Sequence, residues 1–274
     1  MGRLIVDLAL LSNIGRFTRK LVPTSPVGKW LARLRYALRR HGPAGFMWLV
    51  GYNLAYHTFR RDRNIGQSGD ANLFDEKYGT DTGGVREIGT LDVVNAPAAR
   101  YAVRYDPSTP ELVRAQLAKL EIDYARFVFI DFGSGKGRVL LAAAAFPFKE
   151  VIGVELSREL HDIALQNIAR FSPAETRAGR IASIHGDAAA FAIPQSDIVC
   201  YFYNPFGPPI MERVVERLVA HSQQHGYRVI IIYVDARHPE IFTRTGKYAI
   251  LGNDPNVLIL ATHEEIVIGT TAAS

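Results

Sequence analysis

The feature that most constrains the fold is an alternation of short apolar runs with helix-forming stretches, which begins after Asp123. The apolar runs are rich in β-branched and aromatic residues and have the length of buried strands: RFVFIDF, EVIGVEL, IASIHG, DIVCYFY and RVIIIYV. Stretches able to form a helix or a loop follow the first four, among them RVLLAAAAF and PPIMERVVERLVAHS. This alternation predicts an α/β fold with a doubly wound, mostly parallel sheet that is covered by helices on both faces.

The last part of the chain predicts a different strand pairing. KYAILGN and NVLILATHEEIVIG are separated by an Asp-Pro pair, and we expect them to form an antiparallel pair that closes the sheet.

Composition divides the chain into three parts. Residues 1–63 form a basic extension predicted to be helical, residues 64–123 a lead-in, and residues 124–274 the α/β domain. The polar stretch 61–84 is predicted to be a linker that leads into a loop. STPELVRAQLAKLEI then has a Ser or Thr N-cap, an early Glu and helical spacing.

A glycine-rich turn follows the first predicted strand. Its pattern, D-x-G-x-G-x-G, comprises Asp131, Gly133, Gly135 and Gly137. We expect backbone amides and a helix N-terminus to face a ligand at the carboxyl edge of the sheet. A dinucleotide fingerprint requires glycine where this chain has Arg138, and a P-loop requires Ser or Thr directly after Lys136. Both motifs are therefore excluded.

Acidic residues end the next two predicted strands. Glu155 lies 20 positions after Gly135, where a carboxylate in a nucleotide-binding crossover accepts hydrogen bonds from both ribose hydroxyls. Asp187 follows the third strand, where it would lie beside an adenine amino group. Together with Asp131, these residues predict a nucleotide-like ligand.

This combination resembles the cofactor signature of class I S-adenosylmethionine-dependent methyltransferases over about residues 120 to 265. The resemblance implies a seven-stranded, Rossmann-like sheet with an antiparallel final strand, and S-adenosyl-L-methionine as the cofactor. It implies that the methionine part lies against residues 131–137, with Asp131, Gly133, Ser134, Gly135 and Gly137 as the residues that bind it. It also implies that Glu155 holds the ribose and Asp187 the adenine.

The stretch FDEKYGTDTGG has a looser resemblance. It is similar to the loop that closes over the cofactor in non-SET histone lysine methyltransferases and in related bacterial methyltransferases. The resemblance implies that Tyr78, Thr80 and Thr82 donate hydroxyl groups to the cofactor carboxylate. The alternative is an ordinary polar linker with turn residues.

The end of the fourth strand carries the predicted chemistry. Asn204, Pro205 and Phe206 resemble the Asn-Pro-Pro-aromatic motif of amino-group methyltransferases, although the second proline is missing. The Asn side-chain carbonyl and a neighbouring backbone carbonyl would accept the two hydrogens of an amine and aim its lone pair at the methyl group. The aromatic ring would pack on the acceptor. The alternative is a turn that only ends the strand.

We therefore expect an enzyme that methylates a nitrogen of a protein lysine or of another amine. RNA or a small molecule is the alternative acceptor. A non-catalytic S-adenosylmethionine-binding protein, which acts through its basic N-terminal surface, is the alternative from a different class.

Charge and cysteine content predict the surroundings of the protein. Residues 1–63 hold 12 Lys+Arg against two acidic residues, a net charge of +10, whereas residues 64–274 carry a net charge of −5. The basic extension is suited to an anionic membrane surface, with nucleic acid a weaker candidate and a helical cap on the enzyme an equal alternative. Cys200 is the only cysteine, which predicts a cytoplasmic protein, with membrane association as the alternative. The histidine spacing predicts no metal site.

Overall fold

One sheet organises the part of the chain that the computed structural model describes, which is residues 70–84, 107–254, 256–262 and 268–269. Its strands are β1 (Phe127–Phe132), β2 (Glu150–Glu155), β3 (Ile181–His185), β4 (Asp197–Tyr203), β5 (Val229–Val234), β6 (Ala249–Asp254) and β7 (Val257–Ala261). The described residues all belong to one compact unit. The predicted helices of residues 1–63, and the domain boundary that follows them, lie outside the described residues.

The order of the strands is β3-β2-β1-β4-β5-β7-β6. The first five strands pair in parallel, whereas β7 runs antiparallel to both β5 and β6. This arrangement confirms the predicted α/β fold with a seven-stranded, mostly parallel sheet. It also confirms the antiparallel pair that was predicted to close it.

Helices connect and cover the strands. They are α1 (Asp70–Tyr78), α2 (Pro110–Ala118), α3 (Arg138–Ala143), α4 (Arg158–Arg170), α5 (Pro208–His225) and α6 (Glu240–Thr243), with short 3₁₀ turns at Tyr124–Arg126 and Pro173–Glu175. Local signals set their ends. Thr109 caps α2 by accepting a hydrogen bond from the Leu112 amide, and Ser157 caps α4 by accepting one from the Leu160 amide. Helix α5 ends at Gly226, whose φ of 69° is left-handed.

The sheet separates two apolar cores. Phe127 and Phe129 of β1 belong to one core, and Val128 and Ile130 belong to the other, because successive side chains of a strand point to opposite faces. All six residues of β1 are buried. Burial on both faces explains why the strands are near-continuous apolar runs.

Helix α1 corrects the prediction that the whole of residues 61–84 is linker and loop. Residues 70–78 form a helix although Asp, Asn and aromatic residues give them low helix propensity. Phe74 is buried in the core, and the Tyr78 ring lies 4.9 Å from the Phe171 ring between centroids. Tertiary packing therefore stabilises this helix.

Candidate functional site

The glycine turn after β1 is left-handed at three positions. Gly133, Gly135 and Gly137 have φ values of 86°, 53° and 85°, and α3 starts at the next residue. A Cβ atom at Gly133 would lie 2.6 Å from the Pro205 Cβ atom. Glycine is therefore required there for both its conformation and its closeness to the turn after β4.

The amides of this turn pair within the protein. The amides of Gly133 and Ser134 donate to the Val154 carbonyl, at 2.9 and 3.2 Å, and the Gly137 amide donates to the Ser134 carbonyl at 2.9 Å. The Gly135 amide donates to Glu155 Oε2 at 2.7 Å. The expectation that the backbone amides face a ligand is therefore wrong for these four. Because its glycines lack side chains, the turn instead allows a ligand to approach its backbone closely.

Glu155 joins the end of β2 to the glycine turn. Its Oε2 accepts the Gly135 amide, and its Oε1 accepts the Ser157 amide at 2.7 Å. Burial raises the pKa of Glu155, although the hydrogen bonds from Ser157 and Gly135 act in the opposite direction. Each carboxylate oxygen can accept two hydrogen bonds, so one acceptor position on each remains for a diol.

Asp131 is a second buried carboxyl group at the same edge. It is 3% exposed, and burial, followed by the charge of Glu155, raises its pKa well above the ordinary value. It forms no ion pair with any residue that the structure describes. Burial and the neighbouring Glu155 charge both disfavour the ionised form of Asp131, so a cation bound beside Asp131 would restore that form.

A residue of the lead-in reaches the neighbouring strand. Tyr201 lies opposite Asp131 in the register of β1 and β4, and the Tyr201 hydroxyl and Ser108 Oγ are 2.7 Å apart. Both side chains are buried. No local pattern indicates this contact, because Ser108 lies 93 residues from Tyr201 and its position is typical of the start of a helix.

Ser134 and Asp187 occupy the remaining predicted cofactor positions. A Cβ atom at Gly153 would lie 2.5 Å from Ser134 Oγ, so the Ser134 hydroxyl points at β2. Asp187 Oδ1 accepts the Ala189 amide at 2.9 Å in the turn after β3. The structure therefore brings Asp131, Ser134 and Glu155 together and places Asp187 two residues beyond the strand next to Glu155.

The segment after α1 is folded around Asp75. Its carboxylate accepts the hydroxyl groups of Thr80 and Thr82, at 2.7 and 2.6 Å, and also the amides of Thr82 and Gly83. Although partial burial alone would raise it, hydrogen bonds from Thr82 and Thr80 hold the pKa of Asp75 below its ordinary value. The two threonine hydroxyls that were predicted to bind the cofactor thus donate to Asp75.

The Tyr78 side chain packs against two aromatic rings. Its ring lies 4.7 Å from Phe74 and 4.9 Å from Phe171 between centroids, and its hydroxyl accepts a hydrogen bond from Lys77 Nζ at 2.7 Å. The predicted role of Tyr78 at the cofactor carboxylate stays a prediction.

Two basic side chains of the glycine turn hold this segment. Arg138 Nε donates to Thr82 Oγ1 at 2.7 Å, and Arg138 Nη2 lies 3.4 Å from Asp75 Oδ2. Lys136 Nζ donates to Asp81 Oδ1 at 2.7 Å and to the Gly83 carbonyl at 2.8 Å. Arg138 and Lys136 are both buried. No sequence pattern indicates these contacts, because the partners lie 53 to 63 residues away along the chain.

Asn167 of α4 completes the attachment. Its Oδ1 accepts the Asp81 amide at 2.8 Å, and its Nδ2 donates to the carbonyls of Asp81 and Lys136, both at 2.9 Å. Asn167 is fully buried, and no sequence pattern indicates this contact, because its partners lie 31 and 86 residues away.

The turn after β4 has an unusual backbone. Asn204 has a φ of 40°, a region that residues other than glycine adopt rarely and that asparagine tolerates best. Asn204 is only 5% exposed, and its side-chain amide makes no hydrogen bond with any residue that the structure describes, although the amide atoms are not fully shielded from solvent. Strained backbone residues cluster at functional sites, so the left-handed Asn204 is a candidate functional residue.

The two residues after Asn204 have structural contacts. Pro205 packs against Gly133, as described above. Phe206 is buried in one of the cores, with its ring edge-on to Phe202 at 6.3 Å between centroids. The predicted packing of Phe206 on an acceptor stays a prediction.

Two further observations concern the described residues only. They contain no group of three or more His, Cys, Asp or Glu side chains placed to hold a metal ion. No helix among them has both the length and the apolar character needed to cross a bilayer.

Comparison with known proteins adds likenesses of fold. No model of a protein family matches the chain, and no curated protein matches its sequence. Among solved structures, TrmN from Thermus thermophilus matches with 18% identity and a TM-score of 0.40, over 56% of this chain and 48% of TrmN. The match thus spans about half the length of TrmN.

Two other solved structures are similar over more of their own length. The glycopeptide N-methyltransferase MtfA in complex with S-adenosyl-L-methionine matches with 11% identity and a TM-score of 0.39, over 57% of this chain and 88% of MtfA. The ribosomal protein L11 methylase from Lactobacillus delbrueckii subsp. bulgaricus matches with 18% identity and a TM-score of 0.38, over 62% of this chain and 80% of that enzyme. The strand order of this chain is the one expected for the Rossmann-like fold that the methyltransferase resemblance implies.

Proposed function

We propose that the protein is an S-adenosylmethionine-dependent methyltransferase of class I. The observation that carries the proposal is the hydrogen bond between Glu155 Oε2 and the Gly135 amide. It joins the ribose-accepting carboxylate and the glycine turn into one unit at the carboxyl edge of the sheet, where ligands of open α/β sheets bind.

The residues of this edge fit the parts of the cofactor. Glu155 would accept the two ribose hydroxyls with its free acceptor positions, and Asp187 would lie at the adenine. The methionine part, which carries an ammonium and a sulfonium group, would lie along the glycine turn beside Asp131. The raised pKa of Asp131 supports this placement, because a bound cation would offset the repulsion between Asp131 and Glu155.

We propose an amine as the methyl acceptor. The cofactor supplies a methyl group on a sulfonium, which is already a good leaving group, so the protein chiefly has to orient the acceptor. The side-chain amide of Asn204 makes no hydrogen bond with any residue that the structure describes and is not fully shielded from solvent, so its carbonyl oxygen is available to an N–H group. A backbone carbonyl of the same turn would accept the second hydrogen and aim the nitrogen lone pair at the methyl group.

A protein lysine or another amine is the acceptor class that this turn favours. RNA and small molecules remain alternatives, and a protein that binds the cofactor without catalysis is the alternative outside this class. These possibilities differ in the nature of the labelled product.

The test is a labelling reaction with S-adenosylmethionine that carries an isotopic methyl group, in an extract of cells that lack the protein. Label in a macromolecule that protease removes supports a protein acceptor, whereas removal by nuclease or by ultrafiltration indicates RNA or a small molecule. An Asn204→Gly protein is the matched control, because it keeps the left-handed turn without the amide. No label above that of a reaction without added protein, from a wild-type protein that binds the cofactor, would contradict catalysis, whereas equal label from wild type and Asn204→Gly would contradict the role of Asn204.

We also propose that the basic residues 1–63 attach the protein to an anionic membrane surface. The proposal rests on their net charge of +10 alone. Sedimentation with anionic vesicles that falls as salt is raised, because salt screens exposed charges, would support it. Equal sedimentation of a chain that begins at Arg63 would contradict it.

A further inference from the structure

Arg138 is a charged side chain in an unexpected place. It is the first residue of α3, and it is only 1% exposed. An arginine stays protonated when buried, so its guanidinium must find acceptors inside the protein. Burial of an ion pair is rarely a net source of stability. The arrangement around Arg138 therefore calls for another explanation than stability alone.

The partners of Arg138 lie in the segment after α1. Thr82 Oγ1 accepts the Arg138 Nε hydrogen at 2.7 Å and donates its own hydrogen to Asp75 Oδ1 at 2.6 Å. Thr82 is fully buried. Its hydroxyl is thus used in both directions within the protein, which leaves no hydrogen on it for a ligand.

The same segment is attached to the glycine turn at a second point. Lys136 Nζ donates to the Gly83 carbonyl and to Asp81. Lys136 and Arg138 are two residues apart and lie on either side of Gly137, whose φ is 85°. The backbone of residues 81–83 is therefore fixed directly against the turn that would receive the methionine part of the cofactor.

We propose that Asp75, Thr82 and Arg138, which we name the clamp, are positioning residues for cofactor binding. They hold the peptide 81–83 as one wall of the cofactor site, and none of their side chains needs to touch the cofactor. This inference rests on the proposed function. In this proposal the Thr82 hydroxyl does not contact the cofactor. It acts by holding the backbone of residues 81–83 in place.

The clamp has a measurable consequence. If cofactor binds only when residues 81–83 are in place, the apparent Kd equals the intrinsic Kd divided by the fraction of molecules in that state. A variant in which about one molecule in ten keeps the segment in place should bind about tenfold more weakly.

Arg138→Lys is the first test, carried out on the full chain at a temperature where the protein is folded. Lysine keeps the charge but lacks the planar fork that reaches Thr82 and Asp75 together. We expect calorimetric titration to show S-adenosylmethionine binding about tenfold weaker than in the wild-type protein.

Arg228→Lys is the matched control. Arg228 pairs with Asp197 through two side-chain hydrogen bonds at the amino end of β4, the opposite edge of the sheet from the glycine turn. We expect this variant to lower the Tm while its cofactor affinity stays within about twofold of the wild-type value. A purely structural role of Arg138 predicts the same behaviour for both variants.

Thr82 provides a second test that does not depend on whether Arg138→Lys folds. Thr82→Val removes the hydroxyl at nearly constant volume, and Thr82→Ser keeps it. We expect the valine variant to lose about tenfold in affinity and the serine variant to stay close to wild type. Hydrogen exchange distinguishes the clamp from direct contact. In the cofactor-free protein, the amides of Thr82 and Gly83 should exchange faster in Thr82→Val than in wild type, whereas direct contact alone predicts no change.

The outcomes separate this inference from the proposed function. A wild-type chain that does not bind S-adenosylmethionine would overturn the proposed function and this inference together. A wild-type chain that binds, with unchanged affinity in Arg138→Lys or in Thr82→Val, would overturn the clamp alone. Weaker binding in Thr82→Val with unchanged amide exchange would also overturn it and restore the direct contact.

Discussion

Two turns at the carboxyl edge of the sheet both contain left-handed backbone conformations, but different residue types adopt them. The turn after β1 reaches left-handed conformations through Gly133, Gly135 and Gly137, whereas the turn after β4 reaches one through Asn204. A glycine offers only its backbone, and the amides of the first turn are paired within the protein. An asparagine is more strained than glycine in this conformation, but it carries a polar side chain. The side-chain amide of Asn204 makes no hydrogen bond with any residue that the structure describes. The first turn therefore shapes a surface, and the second presents a functional group.

The largest expected effect tests the shape of the first turn. Gly133→Ala should abolish measurable S-adenosylmethionine binding, a loss of more than about a hundredfold, because the new Cβ atom would lie 2.6 Å from Pro205 in a left-handed residue. Calorimetric titration of the folded fraction measures the loss.

Gly246→Ala is the control for backbone strain. Gly246 has a φ of 62°, but nothing lies within 4 Å of a Cβ atom placed there. We expect a loss of about 1–2 kcal/mol in stability with unchanged cofactor affinity. Equal affinity of Gly133→Ala and wild type would show that the two turns do not need their close contact.

The next effect tests the side chain of the second turn. Asn204→Gly should reduce turnover by about 10²-fold, the scale expected when an acceptor loses its positioning, with cofactor affinity nearly unchanged. Because glycine relieves the strain at a φ of 40°, this variant should be more stable than Asn204→Ala by about 1 kcal/mol.

Asn204→Asp sharpens the same test. Aspartate tolerates the left-handed conformation, keeps acceptor oxygens and adds a charge that would favour a cationic amine. Retained turnover in this variant would support a nitrogen acceptor. Normal turnover in Asn204→Gly would mean that the turn only ends β4.

A smaller effect belongs to the carboxylate that supports the first turn. Glu155→Ala removes the charge-assisted hydrogen bonds to the ribose, which water replaces in part, and should weaken cofactor binding by tenfold or more. Glu150→Ala, at the other end of β2, is the control, because Glu150 pairs with the exposed Arg180. Similar affinities of the two variants would show that the end of β2 is wrongly assigned.

The smallest expected effect concerns Asp131 and has a pH dependence. A carboxyl group whose pKa is raised by folding stabilises the protein below its unfolded pKa of about 4, and this contribution is lost as pH rises through the folded pKa. The Asp131→Asn variant has no carboxyl group at this position, so its stability does not fall as the pH rises through the folded pKa of Asp131. Its Tm should therefore exceed the wild-type Tm by a few degrees at neutral pH, and the difference should shrink as pH falls towards about 4.

The same substitution should weaken S-adenosylmethionine binding by about fivefold, because a neutral hydrogen bond replaces a charge-assisted one. Thermal unfolding from pH 4 to 8, with and without cofactor, measures both effects. A Tm difference that does not change with pH would contradict the assigned pKa shift.

The sheet, and the places of Asp131 and Glu155 at the carboxyl ends of their strands, were predictable because the signals for them are local. Apolar runs between polar turns predict β1 to β5, and an acidic residue at a strand end is visible in the sequence itself. The strand order agrees with the fold that the methyltransferase resemblance implies.

The contacts around Asp75 could not be predicted in this way. Arg138 lies 56 residues from Thr82 and 63 from Asp75, so no periodicity connects them. Helix α1 could not be predicted either, because its residues have a low helix propensity and it is stabilised by the packing of Phe74 and Tyr78. The commitment of the turn amides to Val154 and Glu155 depends on the packed structure as well, since only the adjacent strand supplies those acceptors.

The position of β7 has a consequence for synthesis of the chain. β7 lies between β5 and β6 and pairs with both, although it is the last of the three to be made. Until it emerges from the ribosome, the apolar strand VIIIYV of β5 has an open hydrogen-bonding edge, and β6 has no neighbour in the sheet. A nascent chain stopped at Asn256 should therefore self-associate, which light scattering would detect, whereas a chain extended through β7 should remain dispersed.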